Sequence, residues 1–114
     1  MHDLQDWITA LKTSQQLIVV EGIKDKKALT YYGITNIITA SNKPSYLITE
    51  EIANKTDECV LLLDLDKQGK KLFSILRHTL QKRGIKINNR YRNFLFSNTN
   101  LSHIEGLVRY LETK

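Results

Sequence analysis

The chain has a single cysteine and a single proline among its 114 residues. One cysteine, Cys59, cannot close an internal disulfide, so no covalent brace within the chain is available. It heads an apolar run and reads as a small core residue. The proline, Pro44, suits the opening position of a helix. No apolar run approaches the length of a membrane span. The first residues, Met1-His2-Asp3-Leu4-Gln5-Asp6, are acidic and polar and lack the basic region and apolar core of a secretory signal. A cytoplasmic protein with no membrane partner is therefore expected. Repeats, linkers and low-complexity tracts are also missing. That leaves one domain spanning 1–114, large enough for one hydrophobic core but not for two.

What is present is ordinary globular composition with a basic excess. The formal charge is +5 and the isoelectric point is near 9.4. Such a charge suits a polyanionic partner, and it equally serves solubility alone.

Apolar spacing sets out the elements. Leu4, Trp7, Ile8 and Leu11 predict an N-terminal helix over 3–13, with Asp3 as its cap. A continuously apolar strand follows at 17–20, as expected of a strand buried on both faces. A helix over 24–32 ends at Gly33. A short strand at 36–39 leads through Ser41-Asn42-Lys43-Pro44 into a helix over 44–55, with Leu47, Ile48 and Ile52 inward. The third strand is expected at 59–63. The longest helix, 68–83, has an inner stripe of Leu72, Phe73, Leu76, Thr79 and Leu80 and stops at Gly84. The fourth strand is placed at Tyr91–Phe96. Ile104, Leu107, Val108 and Leu111 mark a C-terminal helix over 103–113, with Ser102-x-x-Glu105 as a capping box. Strands alternating with helices give an α/β domain, with a four-stranded, mainly parallel sheet and helices on both faces.

Two of the apolar runs end on acid: Leu17-Ile18-Val19-Val20-Glu21-Gly22 and Val60-Leu61-Leu62-Leu63-Asp64-Leu65-Asp66, with Gly69 three residues on. Ligand sites of parallel sheets lie beyond the carboxyl ends of the strands. If the first and third strands are neighbours, Glu21, Asp64 and Asp66 meet there, which implies a spatial order of 2-1-3-4. Asp64 and Asp66 are two apart and face the same way in an extended segment. Carboxylates so crowded repel one another unless a cation sits among them, and Mg²⁺ is the natural candidate, with Mn²⁺ also suitable. Asp66 alone reads equally well as a cap for the helix that follows.

At these residues the chain resembles the Toprim domain: Glu-Gly-x-x-Asp followed by Ala-Leu (Glu21, Gly22, Asp25, Ala28, Leu29), then Asp-x-Asp-x-x-Gly (Asp64, Asp66, Gly69). That domain is shared by type IA and type II topoisomerases, bacterial primases, certain repair proteins and nucleases, and the ribonuclease that matures 5S ribosomal RNA. The likeness spans residues 17–96. It is greatest to small free-standing Toprim proteins and the 5S-maturation ribonuclease, because Asp-x-Asp-x-x-Gly replaces the Asp-x-Asp-x-Asp common in type II topoisomerases. The resemblance implies Glu21 and Asp64 as catalytic residues, with Glu21 a general acid or base. It implies Glu21, Asp64 and Asp66 as metal ligands, and RNA or DNA as partner.

Gly22 and Gly69 would then let backbone pass close to a ligand. Asp25 serves either the site or the helix dipole. Lys24, Lys67, Lys70 and Lys71 flank the acids and are candidates for phosphate contact, though a solvated helix face explains them too. His103, in a His-Ile-Glu-Gly-Leu segment also similar to small Toprim proteins, is a further phosphate or proton-transfer candidate. Basic residues from Arg77 to Arg92 (Lys82, Arg83, Lys86 and Arg90 between them), with Tyr91, suggest a nucleic-acid track. Thr39–Pro44 lacks the glycines found there in larger Toprim enzymes. Nothing in the chain supplies a separate domain with a nucleophilic tyrosine or a primer-making pocket, so neither topoisomerase nor primase activity is expected.

Overall fold

The computed structural model describes residues 1–113; Lys114, the last residue of the expected domain, lies outside them. Four strands form one sheet: β1 (Leu17–Val20), β2 (Ile37–Thr39), β3 (Glu58–Leu61) and β4 (Lys86–Asn88). All three pairings are parallel and the order is β2-β1-β3-β4. This is the order required for the first and third strands to adjoin. Ile18 pairs with Val60 and Val19 with Leu61, so the two strands end side by side.

The helices are α1 (Leu4–Ser14), α2 (Ile23–Tyr31), α3 (Ser45–Lys55), α4 (Lys67–Lys82), α5 (Arg90–Asn98) and α6 (Leu107–Glu112), the last preceded by a 3₁₀ turn at Ile104–Gly106. Side chains of successive strand residues alternate between faces. Ile18, Val20, Val60 and Leu62 pack against α1, α2, α5 and α6 through Trp7, Leu29, Leu95 and Leu107. Leu17, Val19, Leu61 and Leu63 pack against α3 and α4 through Ile48, Ile52, Leu76 and Leu80. Both faces are covered, which explains the uninterrupted apolar runs. The radius of gyration, 13.3 Å, is that of one compact domain. Among the described residues no helix is long and apolar enough to cross a membrane.

Local chemistry sets the element ends. Asp3 caps α1 by accepting from the Asp6 amide at 2.8 Å. Gly33 and Gly84 follow α2 and α4 with φ of +80° and +76°, the left-handed region that favours glycine. Cys59 is buried, as expected of a core residue.

Three expectations are corrected. Tyr91–Phe96 is helical, and the fourth strand is Lys86–Asn88. Tyr91 and Leu95, one helical turn apart, are the buried pair, and the Trp7 indole N–H donates to the Tyr91 carbonyl at 2.8 Å. On α3 the inward residues are Ile48, Thr49 and Ile52, while Leu47 is exposed. Thr49 is buried at no polar cost because its hydroxyl bonds the Ser45 carbonyl and the Thr79 hydroxyl. Finally, Ser102 does not cap the C-terminal segment. Its hydroxyl meets His103 Nδ1 at 3.0 Å, and the amide of the following turn is capped from elsewhere.

Candidate metal and phosphate site

Beyond the ends of β1 and β3 the chain turns at Glu21 and Asp64. Glu21 Oε1 accepts from the Asp64 amide at 3.3 Å, tying the two strand ends together. Asp64 is buried, and its Oδ1 accepts from the Ile104 amide at 2.8 Å. Asp25, also buried, turns back from α2 and accepts from the Gly22 amide at 3.1 Å. The Asp64 carboxylate thus caps the turn that opens the C-terminal segment, the role the sequence suggested for Ser102.

Asp66 takes the cap role, one of its two candidate roles. Its Oδ1 caps α4 by accepting from the Gly69 amide at 2.7 Å, and its Oδ2 lies 3.1 Å from His103 Nε2. Asp64, Asp66 and His103 each offer a ligand atom within 4.8 Å of the others. Glu21 is not part of that group; its Oε1 holds the Asp64 amide.

Gly69 is the residue the site cannot replace. A Cβ there would collide with the Asp64 carbonyl and lie 2.5 Å from Glu21 Oε1. The first turn of α4 therefore presses directly on the two strand ends. Gly22 carries no such demand. It is extended, and a Cβ would find its nearest neighbour, Ser41 Oγ, at 3.9 Å.

Arg92, expected in a surface basic track, turns inward instead. Its Nε donates to the Leu63 carbonyl at 2.8 Å and its Nη2 to the Asp64 carbonyl at 3.2 Å. The guanidinium lies 4.2 Å from the centre of the Phe73 ring and 5.8 Å from that of Phe96. Burial pulls its pKa below the ordinary arginine range, and the nearby Asp64 opposes that pull. Nothing in the sequence marked this clamp, because its partners are main-chain atoms 28 and 29 residues away. Tyr91 is also interior. Lys82 ends α4, about 24 Å from its first residue. Lys86 pairs with Glu58 at the start of β3. Lys82 and Lys86 therefore lie at the other end of the domain from the acids.

A cleft of about 660 Å³ opens over the strand ends. Glu21, Asp25, Asp64 and Glu105 line its acidic side, with Lys24 and Lys71 at its walls. Lys67 and Lys70 are exposed on the first turn of α4 but do not line it. Among the described residues no lysine or arginine side chain pairs with any of these four acids or with Asp66. The electrostatic cost is visible in the carboxyls. Burial pushes Asp64 up to about 6, and Asp25 and Glu21 add to the shift. Glu21 is raised by burial and by Asp66 and Asp25, and Asp25 by burial and by Glu105. The outer oxygen of Asp64 accepts no hydrogen bond among the described residues. An oxygen-rich set with one imidazole beside it suits a hard divalent cation.

The arrangement defines a small α/β domain with a carboxylate cleft at adjoining parallel strand ends. No protein-family model matches the chain. The UPF0292 protein MJ1624 of Methanocaldococcus jannaschii is 31% identical over 108 residues, covering 91% of this chain and 84% of that protein. This chain belongs to the UPF0292 family. A solved structure of a protein from Aquifex aeolicus is 34% identical with a TM-score of 0.86, covering 92% of this chain and 98% of that one.

Proposed function

We propose that the chain is a Toprim-type protein of the cytoplasm that processes phosphodiester bonds of structured RNA or DNA, most simply as a Mg²⁺-dependent nuclease. The observation that carries this reading is Asp64: a buried carboxylate with one oxygen free of hydrogen bonds, among further acids and with no lysine or arginine ion pair to it among the described residues. Asp64 and Asp66 would hold the ion, with Glu21 or His103 completing the set. When bound, the cation neutralises phosphate charge and lowers the pKa of a bound water. Glu21 keeps one oxygen free of hydrogen bonds among the described residues while the other holds the Asp64 amide. Its raised pKa suits it to hold or release a proton at that free oxygen. Lys24 and Lys71 are placed to contact flanking phosphates. Arg92 fixes the two carbonyls from which Asp64 projects.

Titration calorimetry with Mg²⁺ or Mn²⁺, alone and with an oligonucleotide present, tests the ion site. Asp64→Asn and Asp66→Asn should each weaken binding tenfold or more, about 1.4 kcal/mol. Unchanged affinity in both removes the metal site. A cleavage panel of RNA and DNA tests the chemistry. Glu21→Gln should abolish cleavage and leave binding. Binding without cleavage of any substrate in either metal would instead make the domain a non-catalytic nucleic-acid-binding module.

A further inference from the structure

One side of the cleft is aliphatic, and phosphoryl chemistry alone gives it no purpose. Ile23, Ala40, Leu72 and Ile75 line the same cavity as Glu21 and Asp64. Ile23 is 58% exposed and Ile75 38% exposed, placing both among the few large apolar side chains left open to water. Ser41, Asn42 and Gln68 also line the cavity, and their side chains have no hydrogen-bond partner among the described residues. Few soluble surfaces leave large apolar groups open inside a functional cleft without a ligand to cover them.

We infer that this wall is a nucleobase subsite: the cleft takes a single unpaired nucleotide, its base lying over Ile23, Leu72 and Ile75 and its phosphate directed to the carboxylates. The inference rests on the phosphoryl-handling reading of the same site and adds the substrate class. A phosphodiester backbone by itself is polar along its length and would leave both isoleucines in water. A base offers a flat apolar face to them and a polar edge to Ser41, Asn42 and Gln68, the combination by which pockets read an extruded base. The cavity volume lies within the range of small-ligand sites. Within a duplex both faces of a base are covered by its neighbours, so only a terminal, looped or flipped nucleotide can use the wall. Lys24 and Lys71 at the cavity walls give the sugar-phosphate a cationic border.

Calorimetric titration of adenosine 5′-monophosphate and of ribose 5-phosphate into the protein with saturating Mg²⁺ provides the test. The nucleotide should bind at least tenfold more tightly than the sugar phosphate. In Ile23→Gln/Ile75→Gln that advantage should vanish, and Ile23→Gln alone, at the more exposed of the two positions, should shrink it with the melting temperature retained. Equal affinities in the wild type, or an advantage that survives the double substitution, overturn the subsite. If ribose 5-phosphate binds with a Mg²⁺ requirement that Asp64→Asn removes, yet the base adds nothing, the phosphoryl reading stands and only the base subsite falls. If neither ligand binds, the subsite is overturned, and the oligonucleotide cleavage panel decides the phosphoryl reading separately.

Discussion

Asp64 Oδ1 accepts the main-chain N–H of Ile104 at 2.8 Å, so a candidate metal ligand is also the cap of the C-terminal turn. The two roles use different oxygens and can be separated. Asp64→Asn retains an acceptor for Ile104, whereas Asp64→Ala leaves a buried N–H unsatisfied at a cost of about 1–3 kcal/mol. In EDTA, thermal unfolding should show the alanine variant melting well below the asparagine variant. Equal melting temperatures for the two would mean the cap contributes nothing.

The elevated carboxyl of Asp64 makes metal-free stability depend on pH in a stated direction. Its folded pKa of about 6 lies above the unfolded value near 3.8, so between those values the native state holds a proton that the unfolded chain has released. The stabilisation is full below about pH 4 and is lost as pH rises through 6. The loss is at most about 3 kcal/mol for this residue. Chemical denaturation in EDTA from pH 4 to 8 should therefore show stability falling, with Glu21 and Asp25 acting in the same sense. Asp64→Asn should flatten the slope and raise stability at pH 8. A variant as steep as the wild type would assign the slope to other groups.

Gly69 and Gly22 should respond differently to the same added methyl group. At Gly69 it meets the Asp64 carbonyl and Glu21, and overpacking of this kind costs about 1–3 kcal/mol. Gly69→Ala should therefore destabilise the fold and weaken Mg²⁺ binding together. Gly22 has an extended backbone and space beside it, but it is the N-cap of α2, where alanine is disfavoured, so the unfolded-chain gain is offset and Gly22→Ala should be within about 1 kcal/mol of neutral. Urea titrations of the two variants check the contrast.

Position in the fold separates two groups of basic residues. Lys24 and Lys71 border the cleft, whereas Lys82 and Arg83 lie at the far end of α4. Reversing Lys24 and Lys71 to Glu should weaken Mg²⁺-dependent oligonucleotide binding and lower its log–log salt slope by about 0.7 per lost contact on single strands. Reversing Lys82 and Arg83 should leave the slope nearly unchanged. Fluorescence anisotropy across a salt series reads both.

The sheet order was legible because two acids at strand ends are only useful if the strands adjoin, a constraint stronger than local propensity. The fourth strand was not. Lys86–Asn88 is three residues long, too short to show alternation, while the aromatic cluster that follows has strand composition but buries Tyr91 and Leu95 at helical spacing. At the site, Asp64, Asp66, Gly69 and His103 could be named from motif and spacing. Arg92 could not, since its clamp depends on tertiary approach to carbonyls. The basic stretch misled because sequence proximity to Tyr91 says nothing of which end of a parallel sheet a residue occupies.

The seating of Ile104 on Asp64, reinforced by the Leu65 amide donating to the Ser102 carbonyl at 2.8 Å, also orders events in time. During translation Glu21 and Asp64 emerge well before the segment that rests on them. Without that segment the cleft lacks the wall formed by Glu105 and the amide that holds Asp64 in place. The cleft is therefore complete only once the segment through Glu105 has folded back onto the strand ends.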